Sequence, residues 1–259
     1  MLHTKKIKSA RAGTGIHTGI RIAIVYRITP KGEQIRSMFG AIAPRYDFLN
    51  RLLSLGIDRQ WRRVAVSLVR CGNRGRVLDV ATGTGDLALA IAAATQADVL
   101  IAGIDFCREM VDIGREKVAA SPHAGRIELT VAPCEEIPFP DGSFDSVTIA
   151  FGIRNVVDRP RGLAEMYRIL KPGGNTVILE FSTPVIPLFK ALYCWYFLKV
   201  LPAIGGIFSQ KSAYRYLPDS VLEFPSREEF KGLMTRAGFR NLTHRDLTLG
   251  IATIYCGDK

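Results

Sequence analysis

The spacing of apolar and polar positions changes character along the 259 residues. From residue 75 short apolar runs recur: RVLDVAT (76–82), DVLIAGID (98–105), RIELTVA (126–132), FDSVTIAF (144–151) and NTVILEFS (175–182). Their length and their Val, Ile and Phe content predict strands. Between them, residues 86–95, 107–120 and 159–170 have the apolar spacing of helices. Strand and helix in alternation predict an α/β fold, a doubly wound parallel sheet with helices on both faces, and place a ligand beyond the carboxyl ends of the strands. Before the sheet, residues 32–70 read as helical, with Phe48, Leu49, Leu52 and Leu53 as the side that packs inward. After it, residues 185–208 are apolar, with only Lys190 and Lys199 charged. Those lysines, Pro202 and a glycine pair rule out a membrane-spanning helix, so residues 185–213 are an apolar insertion.

Composition narrows this picture. With 47% hydrophobic residues the chain buries one large core and reads as a single domain. Five cysteines form no C-x-x-C pair and the four histidines do not cluster, as in a reduced intracellular protein without a structural metal. The net charge of +11 is confined to one end: residues 1–70 hold 14 Lys and Arg against 3 Asp and Glu, while residues 71–259 are balanced at 21 against 21. The extension of residues 1–31 is basic and acid-free, and is expected to be a flexible solvated arm, a targeting segment or a contact to anionic lipid.

Candidate chemistry centres on VLDVATGTGDLALA (77–90). Gly83 and Gly85 flank Thr84 directly after the first strand, where glycine allows close backbone approach to a ligand. Asp105 follows Gly85 by 20 residues, at the end of the second strand, where a carboxylate can accept both ribose hydroxyls. The ligand is therefore a nucleoside. Asp86 opens the following helix, where an acid would repel a pyrophosphate. S-adenosyl-L-methionine has no phosphate and carries a cationic sulfonium and an amino group, so a turn flanked by Asp79 and Asp86 suits it.

Three blocks sharpen this: RYDFLNRLLSLGIDRQWRR (45–63), EEIPFPDGSFDSVTIAFGIRNVVDRPRGLAEMYRILKPGGNTVILEFSTP (135–184) and residues 214–259. Together they resemble the ubiquinone/menaquinone biosynthesis C-methyltransferases across residues 33–259, most specifically in Y-D-x-x-N, F-G-I-R-N and L-K-P-G-G-x-x-x-x-L-E-F-S. The resemblance implies a Rossmann-like class I methyltransferase sheet under an N-terminal helical lid. It also implies S-adenosyl-L-methionine as cofactor, held by Asp79, Gly83, Thr84, Gly85, Asp105 and Cys134. Its implied reaction is C-methylation of a polyprenylated quinol ring, with Arg154, Asn155 and Tyr46 catalytic: Arg154 answers the developing phenolate, and a water held by Arg154, with Tyr46 and Asn155, accepts the proton. Trp61 reads as a core anchor of the lid. The chain departs from the family's usual pattern at Pro133 and Cys134, at Ala150 (commonly Ser) and at Asp58 (commonly His).

Expected partners are the lipid substrate and a membrane surface, touched by the basic arm or the apolar insertion, and a homodimer or biosynthetic complex. The expected location is cytoplasmic at the inner face of the membrane, or the mitochondrial matrix. A nucleic-acid methyltransferase is disfavoured because FGIRN follows the fourth strand in place of an N/D-P-P-Y/F motif; a catalytically silent scaffold subunit is the other alternative.

Overall fold

The structure is a computed structural model that describes residues 29–186 and 211–259; the arm of residues 1–28 and residues 187–210 of the apolar insertion lie outside the described residues. Seven strands form one sheet: β1 (Arg76–Val80), β2 (Leu100–Asp105), β3 (Ile127–Val131), β4 (Phe144–Ala150), β5 (Leu170–Phe181), β6 (Arg240–Leu247) and β7 (Ala252–Asp258). Their order is β3-β2-β1-β4-β5-β7-β6, with β1 to β5 parallel and β7 antiparallel to both β5 and β6. The order reverses direction between β1 and β4, so the crevice for a ligand opens at the ends of those two strands.

The five sequence-predicted strands are present, and the helices α4 (Asp86–Ala94), α5 (Arg108–Ala119) and α6 (Arg159–Ile169) start and stop within a residue of expectation. Strand β5 differs. It begins at Leu170, which pairs with Phe144; the chain then loops out through LKPGG, with Gly173 at φ 79°, before Asn175 pairs with Ser146. The glycine turn is thus a bulge inside the strand. The remaining described helices are α1 (Pro30–Ile42), α2 (Tyr46–Leu53) and α3 (Asp58–Val66) ahead of the sheet, and α7 (Lys211–Leu222) and α8 (Arg227–Arg236) after β5.

Alternation along β1 shows how the sheet is sandwiched. Leu78 and Val80 face a core closed by Leu163 and Met166 of α6 and by Phe230 and Met234 of α8. Val77 faces the opposite way, into a core of Leu87, Ala88 and Ile91 of α4 with Val111 and Val118 of α5. A third cluster seats α3 over β5 and β7, where buried Trp61 packs beside Phe151 and Phe181 and donates from Nε1 to Thr248 Oγ1 at 2.8 Å. Trp61 is therefore the anchor that the sequence suggested. Among the described residues no helix is long and apolar enough to cross a membrane.

Candidate active site

The ends of β1, β2 and β4 and the helices α1 and α2 enclose a cleft of about 300 Å³. Its floor is the glycine turn. Gly83 and Gly85 have φ of 55° and 81°, and a Cβ on Gly83 would point into open space, so this backbone is free to meet a ligand. Two side-chain-bearing residues at the same level are also left-handed: Ala81 after β1 and Phe151 after β4, at φ 49° and 56°. Both line the cleft, where such strain concentrates. Gly152 lets these two strand ends approach, since a Cβ there would lie 2.5 Å from that of Ala81.

At one side of the cleft, buried Asp105 accepts from the backbone N–H of Gly83 at 2.9 Å and from that of Cys107 at 2.8 Å. Burial pushes its carboxyl up to about 6 against the pull of these two amides. Phe106, Met110, Pro133 and Cys134 continue the wall. Burial drives the Cys134 thiol well above its usual value, so it stays neutral and acts as an apolar surface.

Asp79 lies deeper and accepts from Thr82 Oγ1 at 2.6 Å and Thr148 Oγ1 at 2.9 Å. Burial pushes it up to about 7, although both hydroxyls act against this. The native state thus holds this proton more tightly than the unfolded chain, and the free energy of unfolding should fall as pH rises from about 4 to about 7, then level off. Between pH 6 and 7 Asp79 supplies most of that slope, about 1 kcal/mol per pH unit. Asp79→Asn is expected to flatten it, measured by denaturant unfolding across that interval; an unchanged slope would mean that Asp79 is ionised in the fold.

Helix α2 is tied to the glycine turn by Asp47, the acid of Y-D-x-x-N, to which the sequence assigned no role. Asp47 accepts from Thr84 Oγ1 at 2.6 Å through Oδ1 and from Lys117 Nζ of α5 at 2.6 Å through Oδ2. Lys117 also pairs with Asp86, at 2.5 Å, and Arg62 lies 3.6 Å from the same carboxylate. This corrects the charge argument, because Asp86 is already answered by two cations and adds little negative field for a sulfonium. Thr84 faces the lid, and its hydroxyl is committed there. Asp58 accepts from Ser54 at 2.7 Å and Arg62 at 2.5 Å. Tyr46 lines the cleft, and burial raises its hydroxyl despite a hydrogen bond with Asn50 and the nearby Arg154, so it remains a neutral phenol.

Opposite the lid stands FGIRN. Asn155 lines the cleft, but Arg154 does not. The Arg154 side chain is turned into the protein, where Nη1 donates to Glu180 Oε1 at 2.8 Å and to the carbonyl of Phe151, and the guanidinium lies 5.3 Å from the Phe181 ring. Glu180, fully buried at the end of β5, also accepts from the backbone N–H of Arg154 at 3.1 Å and from that of Phe181 at 2.8 Å. A cation expected to face the substrate is instead half of a buried ion pair that fixes the turn. Tyr216 of α7 donates from its hydroxyl to Asn155 Oδ1 at 2.9 Å. Neither Glu180 nor Tyr216 was singled out by sequence, although Glu180 is the acid of L-E-F-S.

The fold is that of the class I methyltransferases. It superposes on a Thermotoga maritima S-adenosylmethionine-dependent methyltransferase with a TM-score of 0.61 at 21% identity, covering 87% of this chain and 99% of that one. It also superposes on the [4+2]-cyclase SpnF with a TM-score of 0.66 at 16% identity, covering 90% and 98%. Within that class the chain belongs to the ubiE/COQ5 methyltransferase family, whose model matches residues 28–259. Relatives include the ubiquinone/menaquinone biosynthesis C-methyltransferase of Geobacter sulfurreducens, 68% identical over 91% of this chain and 92% of the relative. The demethylmenaquinone methyltransferase of Deinococcus radiodurans is 49% identical over 88% and 94%.

Proposed function

We propose that this methyltransferase uses S-adenosyl-L-methionine to methylate a ring carbon of a polyprenylated quinol, on the path to menaquinone or ubiquinone. The observation that carries this reading is a single cleft that joins a nucleoside-binding edge to a phenol-binding edge: Asp105 and Gly83 on one side, Tyr46 and Asn155 on the other. The residues fit the cofactor. Asp105 uses each oxygen once on a backbone amide, which leaves lone pairs for two ribose hydroxyls, and Phe106 and Met110 offer an apolar face to a base. A smaller recess lined by Asp79, Arg62 and Gly83 offers a carboxyl group and a cation for an amino-acid end. When bound, the cofactor supplies an electrophilic methyl group.

The protein's share is to make the ring carbon nucleophilic and to keep water out. A phenol with pKa of about 10 is mostly un-ionised at neutral pH, and full ionisation needs roughly 4 kcal/mol of help. Because Glu180 neutralises Arg154, that help comes mainly from hydrogen bonds to the ring oxygen from the Asn155 amide and the neutral Tyr46 hydroxyl. The departing proton passes to a water beside Tyr46 and Asn155. The lid shuts the cleft behind both ligands. A quinol with an isoprenoid tail resides in the bilayer, so the protein takes its substrate at a membrane surface.

The test is direct. Protein incubated with methyl-labelled cofactor and short-tailed demethylnaphthoquinol or 2-methoxy-benzoquinol should yield a ring-methylated product by mass spectrometry. Cofactor binding without transfer to either ring would overturn the proposal in favour of a silent subunit.

A further inference from the structure

Asn155 is the polar group that the fourth strand's turn presents to the cleft, and an amide side chain has two opposite faces, one accepting and one donating. Which one meets the substrate decides what the site recognises. From the far side of the turn, α7 packs against both Ile153–Asn155 and the lid helix α1. It carries Tyr216, whose hydroxyl donates to Asn155 Oδ1 at 2.9 Å. Tyr216 is not part of the cleft wall. Resting on the methyl-transfer reading above, we infer that Tyr216 is a positioning residue that locks the Asn155 amide with its N–H groups toward the cleft, so that the site selects an acceptor ring bearing a hydrogen-bond-accepting oxygen beside the methylated carbon.

The chemistry follows from the occupied atom. With Oδ1 turned toward α7 and one of its lone pairs taken by the phenolic hydrogen, Nδ2 is the group left to face the ligand, and no described residue takes its hydrogens. A donor at that point strengthens as the ring oxygen gains charge, so it favours the ionised quinol over the neutral one and over an oxidised, less basic quinone. Tyr216 remains protonated and able to donate, since burial raises its hydroxyl above the ordinary value despite the nearby guanidinium of Arg154. Because α7 also touches α1, the orientation of Asn155 depends on an element that belongs to neither the cofactor turn nor the substrate wall.

The test combines kinetics with a measurement that needs no acceptor. Tyr216→Phe removes one oxygen; kcat should fall about tenfold, with calorimetric affinity for the cofactor unchanged. Asn155→Ala should fall further, and Tyr216→Phe with Asn155→Ala should be no slower than Asn155→Ala alone, because Tyr216 acts only through Asn155. Asn155→Asp, which keeps an acceptor for Tyr216 but offers no N–H to the ring, should lose as much as Asn155→Ala. Independently of turnover, 15N relaxation of the Asn155 side-chain amide should report a rigid group in the wild type and a mobile one in Tyr216→Phe. Full activity of Asn155→Asp, additive losses in the double variant, or an amide equally rigid without the hydroxyl would overturn the inference. If the wild-type protein methylates neither quinol, the functional reading fails, and the relaxation measurement still decides the role of Tyr216.

Discussion

Glu180→Ala is expected to destabilise the protein by about 3–5 kcal/mol, because it leaves a buried guanidinium without its counter-charge. Glu180 is fully buried and serves three donors: Nη1 and the backbone N–H of Arg154, and the backbone N–H of Phe181. Alanine removes all three hydrogen bonds, and the Arg154 side chain, itself almost fully buried, cannot reach water without unpacking. Glu180→Gln keeps an oxygen for one or two of these donors and should cost roughly half as much. Denaturant unfolding reads both, as a lower midpoint with an unchanged slope. A loss below about 1 kcal/mol for the alanine variant would show that the turn is held by other contacts.

Asp105→Ala is expected to weaken cofactor binding by about 1.5–3 kcal/mol, or roughly 10- to 150-fold, because a charge-assisted contact to two hydroxyls is lost. The structure adds a second cost. The same carboxylate holds the amides of Gly83 and Cys107, so its removal also frees the glycine turn at the floor of the cleft. Asp105→Asn separates the two effects, since its amide oxygen can serve one backbone N–H while its NH2 faces the other. Titration calorimetry of both variants measures the difference, and an affinity equal to wild type would sink the ribose assignment.

Much of this was legible in the sequence, for reasons that differ by element. Strands β1 to β5 are short apolar runs with turn signals at their ends, and the glycine turn and Asp105 lie within one strand–helix–strand unit, so their spacing is local. Strand β6 carries almost no pattern because nearly all its residues are exposed at the sheet edge. Helix α8 did leave a signal in Ser226 and Glu229, which form a capping box. The pairings that organise the site are long-range. Asp47 meets Lys117 seventy positions away, Arg154 meets Glu180, and Tyr216 meets Asn155 sixty-one positions away. No periodicity encodes such partners. That is why Arg154 read as a cation facing substrate, when the strand beside it supplies the acid that neutralises it.

The tie between Asp47 and Thr84 places both binding edges on one mechanical element. Helix α2 presents Tyr46 to the cleft and, one residue later, clasps the glycine turn through Asp47. A ligand that steadies that turn therefore also steadies the tyrosine, and linkage makes the effect mutual: by whatever factor cofactor raises affinity for the ring, the ring raises affinity for cofactor. The same linkage governs departure. A ligand that leaves the turn withdraws whatever order it lent to Tyr46.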